Sequence, residues 1–415
     1  MKQKKIVTAI SGFIGMSVFG ISASQAGNTI TVDSISDQPE AGFTTLREAI
    51  EDSNTISGAV IKFDEAVFSE PQTITLEQGE LLISSSTTID GPGKDLLTID
   101  GDENTRIIRI DDGTDDLIDV GINGLTLTRG NGQSPANSRT GGCVLSFELL
   151  TLNDSTVTTC ESSGRGGGVF TRFGALNLNN SSIHNNDAGN EAGGLYFREA
   201  AAVIMNSTVS ENTSDFNGAG IFISRNNFVE IYNSTISENR GLNTSERQGA
   251  GIFINSSSSS LTLENTTIVN NTGEGLFVRQ ASQVNITNNI IAGNIDGDCE
   301  LTQINANSNN QNNLDTDGSC DVLATNHFTV SNPMLGPLAN NGGLTMTHLP
   351  LADSPVIDSG DDALCAEFDQ RGLLRPRDGD GDGTSTCDIG AVESLISEGD
   401  SIFTDGFDNP IETSA

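Results

Sequence analysis

Five aromatic residues recur at one offset along the middle of the chain: Phe170, Tyr196, Phe222, Phe253 and Phe277. Two positions after three of them stand Arg172, Arg198 and Arg279, and Arg225 follows Phe222 one step later. A guanidinium is a permanently charged planar fork of donors, and an aromatic ring is a flat apolar platform. Repeated together they can grip an acidic glycan, so Arg172, Arg198, Arg225, Arg279 and Tyr196 form the candidate ligand-binding set. The competing reading is a core stack of rings with arginines snorkelling at its edge.

Other chemistry is sparse. Asp378, Asp380 and Asp382, followed by Gly383, alternate as calcium loops do, with hard carboxylate oxygens around one cation and a glycine for the turn. An EF-hand requires Glu at position twelve, where this chain has Ile389, so a solvated acidic loop competes with bound Ca²⁺, the one cofactor suggested. His184, His327 and His348 are isolated in sequence and are expected at surfaces or turns, and neither HExxH nor GxSxG occurs. Gly91 to Lys94 glances at a phosphate loop but lacks the preceding glycine and the Ser or Thr after the lysine. Among Glu191, Glu211, Asp215, Glu230, Glu238 and Glu264, only Glu211 and Glu238 share a repeat position, and a solvated turn explains that pair. No catalytic residue is assigned.

The elements that position these residues are written into residues 150 to 294, where one phrase occurs six times around an asparagine or aspartate hinge: Asp154, Asn180, Asn206, Asn233, Asn265 and Asn288. An aliphatic residue stands two before each hinge and another three after it, as in Leu178 and Ile183, the period of short strands flanking a corner. Six residues after the last five hinges comes a second amide, Asn186, Asn212, Asn239, Asn271 and Asn294, with Cys160 at that place in the first copy. Such a period means stacked units that cannot bury an apolar face alone, and it leaves no room for a helix. The expected fold is all-β, a β-solenoid of three short strands per coil and roughly eight to ten coils at about 4.8 Å each. Stacking places like residues over like, so the hinges Asn180, Asn206, Asn233, Asn265 and Asn288 are expected to form an amide ladder.

The chain has 415 residues with 20 Lys+Arg against 56 Asp+Glu, a net charge of -36 that disfavours nucleic acid and anionic lipid. With 46 glycines and no tryptophan it can fill a thin core but not a thick globular one. Residues 1–26 read as a secretory signal: Lys2, Lys4 and Lys5, an apolar run from Ile6 to Ile21, then Ser24-Gln25-Ala26. No membrane span is expected after its removal. Six cysteines in an exported chain imply disulfides, and proximity favours Cys143–Cys160, Cys299–Cys320 and Cys365–Cys387, with buried thiols as the alternative for the first pair.

Both ends of the solenoid carry distinct sequence. Residues 27–70 read as an amino-terminal cap, an entering strand followed by a short helix that Thr45-Leu46-Arg47-Glu48 opens as a capping box. Thr44-Thr45-Leu46-Arg47-Glu48-Ala49 resembles the signature of the CSLREA family of exported bacterial β-helix proteins, with threonines in place of its cysteine and serine. Residues 71–294 then carry the coils. In 295–393, Asn340-Asn341-Gly342-Gly343-Leu344-Thr345-Met346-Thr347-His348, Ser354-Pro355-Val356-Ile357-Asp358, Asp369-Gln370-Arg371-Gly372 and Cys387-Asp388-Ile389-Gly390-Ala391-Val392-Glu393 resemble the choice-of-anchor Q domain. The resemblance implies a single-stranded right-handed parallel β-helix of the pectin-lyase-like kind with an irregular carboxy-terminal cap, exported to the surface of a bacterium. Residues 394–415 form a short acidic tail, expected to be flexible. Together these features read as a non-catalytic adhesion or display module that binds an acidic polysaccharide or cell-surface component. A polysaccharide lyase or glycoside hydrolase of the same fold is the first alternative and a purely structural matrix component the second.

Overall fold

The computed structural model describes residues 28–132, 139–243 and 249–394. The signal-like segment and the tail beyond Ser394 lie outside those residues. One coil of the repeat runs through the strands Val169–Arg172, Ala175–Asn179, Ser182–His184 and Asp187–Ala188, and the next coil repeats them in parallel and in register. The first two strands of each coil feed one 19-stranded sheet, the third an 11-stranded sheet, and the fourth a small 4-stranded sheet. The solenoid is therefore built from three walls around a narrow core. The aliphatic pairs around each hinge fill it: Leu152, Leu178, Ile204, Ile231, Leu263 and Ile286 stack on one wall and Val157, Ile183, Val209, Ile236, Ile268 and Ile291 on another, all at most 1% exposed.

The hinges do form a column, but not an amide ladder. Asp154, Asn180, Asn206, Asn233, Asn265 and Asn288 all have φ between 43° and 53°, the left-handed region. Asparagine tolerates that conformation where most side chains collide with the following carbonyl. Backbone geometry thus explains this residue type, and among the described residues no hydrogen bond joins one of the five hinge asparagines to another. Replacing Asn180 with Val is expected to cost about 1–2 kcal/mol, whereas Asn180→Gly leaves the thermal midpoint nearly unchanged. Thermal denaturation of the two variants measures the difference.

The ladder belongs to the second amide. Asn186 donates from Nδ2 to Oδ1 of Asn212 at 2.9 Å, Asn212 to Asn239 at 3.0 Å, Asn239 to Asn271 at 3.0 Å and Asn271 to Asn294 at 2.9 Å. Each of the four Oδ1 acceptors also takes the backbone N–H of the preceding asparagine, and each Nδ2 donates to a carbonyl of the coil before. The run begins at Cys160, whose N–H bonds Asn186 Oδ1, and ends on the Asp298 carboxylate. A second rail was not legible beforehand: Ser155, Ser181 and Ser207, each one past its hinge, pass a hydroxyl acceptor to the N–H of the previous coil.

At the amino end, Thr45 and Glu48 close the capping box of the helix Leu46–Ser53, which buries Leu46, Ala49 and Ile50 against the first strands. The cysteines pair as Cys143–Cys160, Cys299–Cys320 and Cys365–Cys387. After the last coil the chain does not stay at the carboxyl end. Residues 333–394 turn back along the outside of the 11-stranded sheet as a strap, with one antiparallel pair between Leu335–Ala339 and Thr347–Pro350. Val356 and Ile389 pack on Val269, Ile290 and Leu314, and Lys94 Nζ, far down the solenoid, donates to Leu344 O at 2.6 Å.

Candidate anion-binding cleft

Along the strands Val169–Arg172, Leu195–Arg198, Ile221–Ile223, Ile252–Glu264 and Leu276–Thr287, alternate residues face opposite sides of the wall. Val169, Leu195, Phe197, Ile221 and Ile223 join the main core. Phe170, Tyr196, Phe222, Phe253 and Phe277 face outward as a separate apolar cluster, with ring centroids 4.8 to 5.1 Å apart and interplanar angles of 4° to 24°. These rings are 1–6% exposed, so the stack lies outside the core yet is covered. The cover is the glycine-rich turn before each strand. Gly166, Gly218 and Gly249 adopt φ near +60°, and a Cβ on Gly218 would stand 3.0 Å from that of Phe222.

The arginines part company around this stack. Arg172 is committed, its Nε 3.6 Å from Glu199 Oε2 and its guanidinium carbon 4.1 Å above the Phe173 ring. Arg279 leaves the column: the register shifts after Ile254, so Gln280 stands opposite Asn255 and donates to its Oδ1 at 3.3 Å. Arg198 and Arg225 instead line a cleft of about 210 Å³ with Arg165, Glu191, Tyr196, Phe222, Ser224 and Asn255. Arg165, absent from the candidate set, enters from the turn before Gly166, bonds Glu191 and lies 5.7 Å from the Tyr196 ring centre. Burial is the largest influence on the Arg165 charge and works against it, but the hydrogen bond to Glu191 together with the electrostatic pull of Tyr196 and Glu191 leaves the group above the ordinary arginine value. Burial likewise pushes the Tyr196 phenol up, keeping it a neutral donor. Among the described residues, neither Arg198 nor Arg225 has a carboxylate partner, and Arg198 Nε is buried without an acceptor. Three guanidiniums face one carboxylate here, in a chain whose net charge is -36.

The acidic loop is assembled differently from its sequence pattern. Asp378 and Asp380 meet Asp358, with one oxygen of each within 4.8 Å of the others, whereas Asp382 turns its Oδ1 to the Thr384 N–H at 2.7 Å. Asp378 accepts from the N–H groups of Gly381 and Gly383, and Asp358 from those of Gly379 and Asp380. The carboxylates thus hold the loop's own backbone. Burial raises the Asp358 pKa, with Asp380 adding to the shift. Asp358 was missed because it lies 20 residues upstream of the alternating aspartates.

Glu211 and Glu238 sit exposed at left-handed turn positions, φ 55° and 58°, on neighbouring coils, as a solvated turn requires. The histidines differ from expectation. His348 is 2% exposed, held between Ser237 Oγ and Gly336 O at 2.8 Å each, and His327 lies 3.2 Å from Asp315. His348 is drawn in where the strap lies against Ser237, 111 residues earlier, whereas His327 meets an aspartate of the adjoining coil.

Residues 146–333 match the family model described as the right handed beta helix region. The fold is a right-handed parallel β-helix. Solved structures similar to this β-helix include the complex structure of XylC with xylose, at 10% identity and a TM-score of 0.47, matching 82% of this chain and 65% of that one. The crystal structure of pectate lyase Pel9A is similar at 13% identity and a TM-score of 0.46, over 89% of this chain and 98% of that one. No curated protein matches the chain. Among the described residues no helix is long and apolar enough to cross a membrane, and the three disulfides fit an oxidising compartment.

Proposed function

We propose that this β-helix is an exported, non-catalytic adhesion or display module of the bacterial cell surface that binds an acidic polysaccharide through the arginine cleft. The observation that supports this reading most is the pair Arg198 and Arg225, cations without carboxylate partners among the described residues of a strongly acidic chain. Carboxylate groups on a glycan complete both forks, and Ser224, Asn255 and Tyr196 add neutral hydrogen-bonding groups beside them. The signal-like residues 1–26 and the disulfides support export, and the resemblance of residues 295–393 to the choice-of-anchor Q domain supports surface display.

Affinity electrophoresis through pectate or alginate tests the reading. Retention is expected for the native chain, and Arg198→Ala is expected to weaken it roughly ten- to hundredfold, the worth of about 1.5–3 kcal/mol for hydrogen bonds to a charged group. Arg279→Ala, outside the cleft, leaves retention unchanged. The same incubations assayed for unsaturated or reducing ends distinguish binding from cleavage: release of either product overturns the non-catalytic reading, and absence of retention overturns the cleft.

A further inference from the structure

One peptide bond of the strap, between Glu393 and Ser394, has polar groups set around it on both sides, and both residues are buried. The Glu393 carbonyl oxygen accepts a hydrogen bond from Arg371 Nη2. The Ser394 N–H donates to Asp388 Oδ2 at 2.5 Å, and the other oxygen of Asp388 takes the Asp358 N–H at 2.8 Å. Ser394 Oγ is without a well-formed hydrogen bond among the described residues, yet it lies close enough to the Asp388 carboxylate to act on its charge. Asp388 therefore reaches both the hydroxyl and the amide of one residue, while a guanidinium holds the carbonyl before it.

Other parts of the strap fix these groups. Asp369 pairs with Arg371 at 2.9 Å and takes the Glu393 N–H at 3.0 Å. The Glu393 carboxylate accepts from the N–H groups of Asp388 and Arg377 and lies 3.5 Å from Arg375. On the far side Gly379 makes the room, since a Cβ there would stand 2.3 Å from Ser394 Oγ. Holding the chain in place requires partners for the backbone N–H and carbonyl, and both have them. It does not require a buried hydroxyl with no settled partner, which in a native fold calls for its own explanation.

We infer that the folded strap cuts its own chain between Glu393 and Ser394, by transfer of the Glu393 acyl group from nitrogen to the Ser394 hydroxyl and hydrolysis of the resulting ester. Ser394 Oγ attacks the Glu393 carbonyl carbon, a C–O bond forms, and the C–N bond breaks. Negative charge gathering on the Glu393 oxygen between these events falls on the Arg371 guanidinium. The transfer moves one proton from Oγ to the departing nitrogen, and Asp388 is the carboxylate beside both. Burial raises the Asp388 pKa, which suits a group that must take up a proton and return it. Water then adds to the ester carbonyl, the C–Oγ bond breaks, and the hydroxyl returns to Ser394. One water is consumed, leaving a terminal carboxylate on Glu393 beside Arg371 and a free amine on Ser394. The reaction happens once, on the protein's own chain, and leaves the arginine cleft untouched.

Intact-mass analysis of the full chain incubated at neutral pH reads the cut. A fragment with the mass of residues 394–415 is expected to accumulate while the larger part ends at Glu393. Neutral hydroxylamine attacks esters far faster than peptide bonds, so it is expected to speed this release severalfold and to leave a hydroxamate on Glu393. Ser394→Ala is expected to abolish the cut, and Ser394→Cys to keep it through a thioester. Arg371→Gln is expected to slow it roughly a hundred- to a thousandfold, the effect of losing one oxyanion donor. The thermal midpoint of each variant tells a slowed reaction from a lost fold. A native, folded chain that stays whole in hydroxylamine, release that Ser394→Ala does not reduce, or equal release from the urea-unfolded chain overturns the inference.

Discussion

Asn212→Ala is expected to destabilise the protein by about 3–5 kcal/mol, as read from urea denaturation. The substitution removes an acceptor from both the N–H and the Nδ2 of Asn186 and a donor from Ile183 O, all inside a wall where water cannot replace them. A buried polar group left without its partner costs roughly 1–3 kcal/mol, and more than one is orphaned here. Asn212→Asp makes the sharper comparison. Its ionised carboxylate can still accept from Asn186 but sets a bare negative charge against Asn239 Oδ1 and Ile183 O, both of which need a donor. Burying an unpaired charge costs more than losing a hydrogen bond, so the Asp variant is expected to be the less stable of the two at pH 8. At pH 4 the protonated acid donates again, and part of the loss returns. Equal stability of native and Ala chains would show that the ladder merely accompanies the stack.

A second large effect is expected from pH, through the buried cluster where the strap folds on itself. Glu393 lies 3.5 Å from Arg375, almost wholly buried, and burial raises its pKa to about 7 despite that arginine. Between about pH 4.5 and 7 the unfolded chain therefore gives up a proton that the folded chain keeps, and stability falls as pH rises, by on the order of 3 kcal/mol in total. His348 acts in the opposite sense. Burial lowers its pKa, so below about pH 6.5 the unfolded chain gains a proton the folded chain refuses, and stability falls towards acid. Below about pH 6.5 the two slopes oppose each other. Glu393→Gln removes one of them: its thermal midpoint is expected to rise from pH 5 to pH 7, where the native protein stays level or declines. Parallel curves for both proteins would refute the assignment.

Much of the architecture could be read from residue spacing because a solenoid obeys local rules. The coil period, the inward aliphatic pairs and the cap helix each follow from residues within about one coil of one another. The errors have a common physical origin. Asn180 and its equivalents looked like ladder residues because a repeated amide admits two explanations, a hydrogen-bond column or a left-handed corner, and only φ separates them. Arg279 seemed to continue the arginine column because offsets were counted along the chain, while a single irregularity after Ile254 moved Gln280 into its place. Arg165 and Asp358 were overlooked because each joins its partners from another part of the coil or from the strap. The strap itself brings residues 333–394 against coils more than 130 positions earlier, as in the bond between Thr208 and Met346, and no local pattern encodes such a return.

The strap also has a bearing on how many coils this protein can have. Its anchors at Thr208, Thr235 and Thr267 follow the 11-stranded sheet one coil at a time, so it works as a gauge laid against a ruler. Loss or gain of a coil between Thr208 and Thr267 puts every later anchor one notch out of step, which the strap can meet only by letting go. Coils between Thr98 and Thr156 lie below these three anchors and meet the strap through the long, flexible side chain of Lys94, which donates to Leu344 O, a much looser check. Lineages of this protein should therefore differ in length at the amino-terminal half of the rod while the strapped half keeps its count.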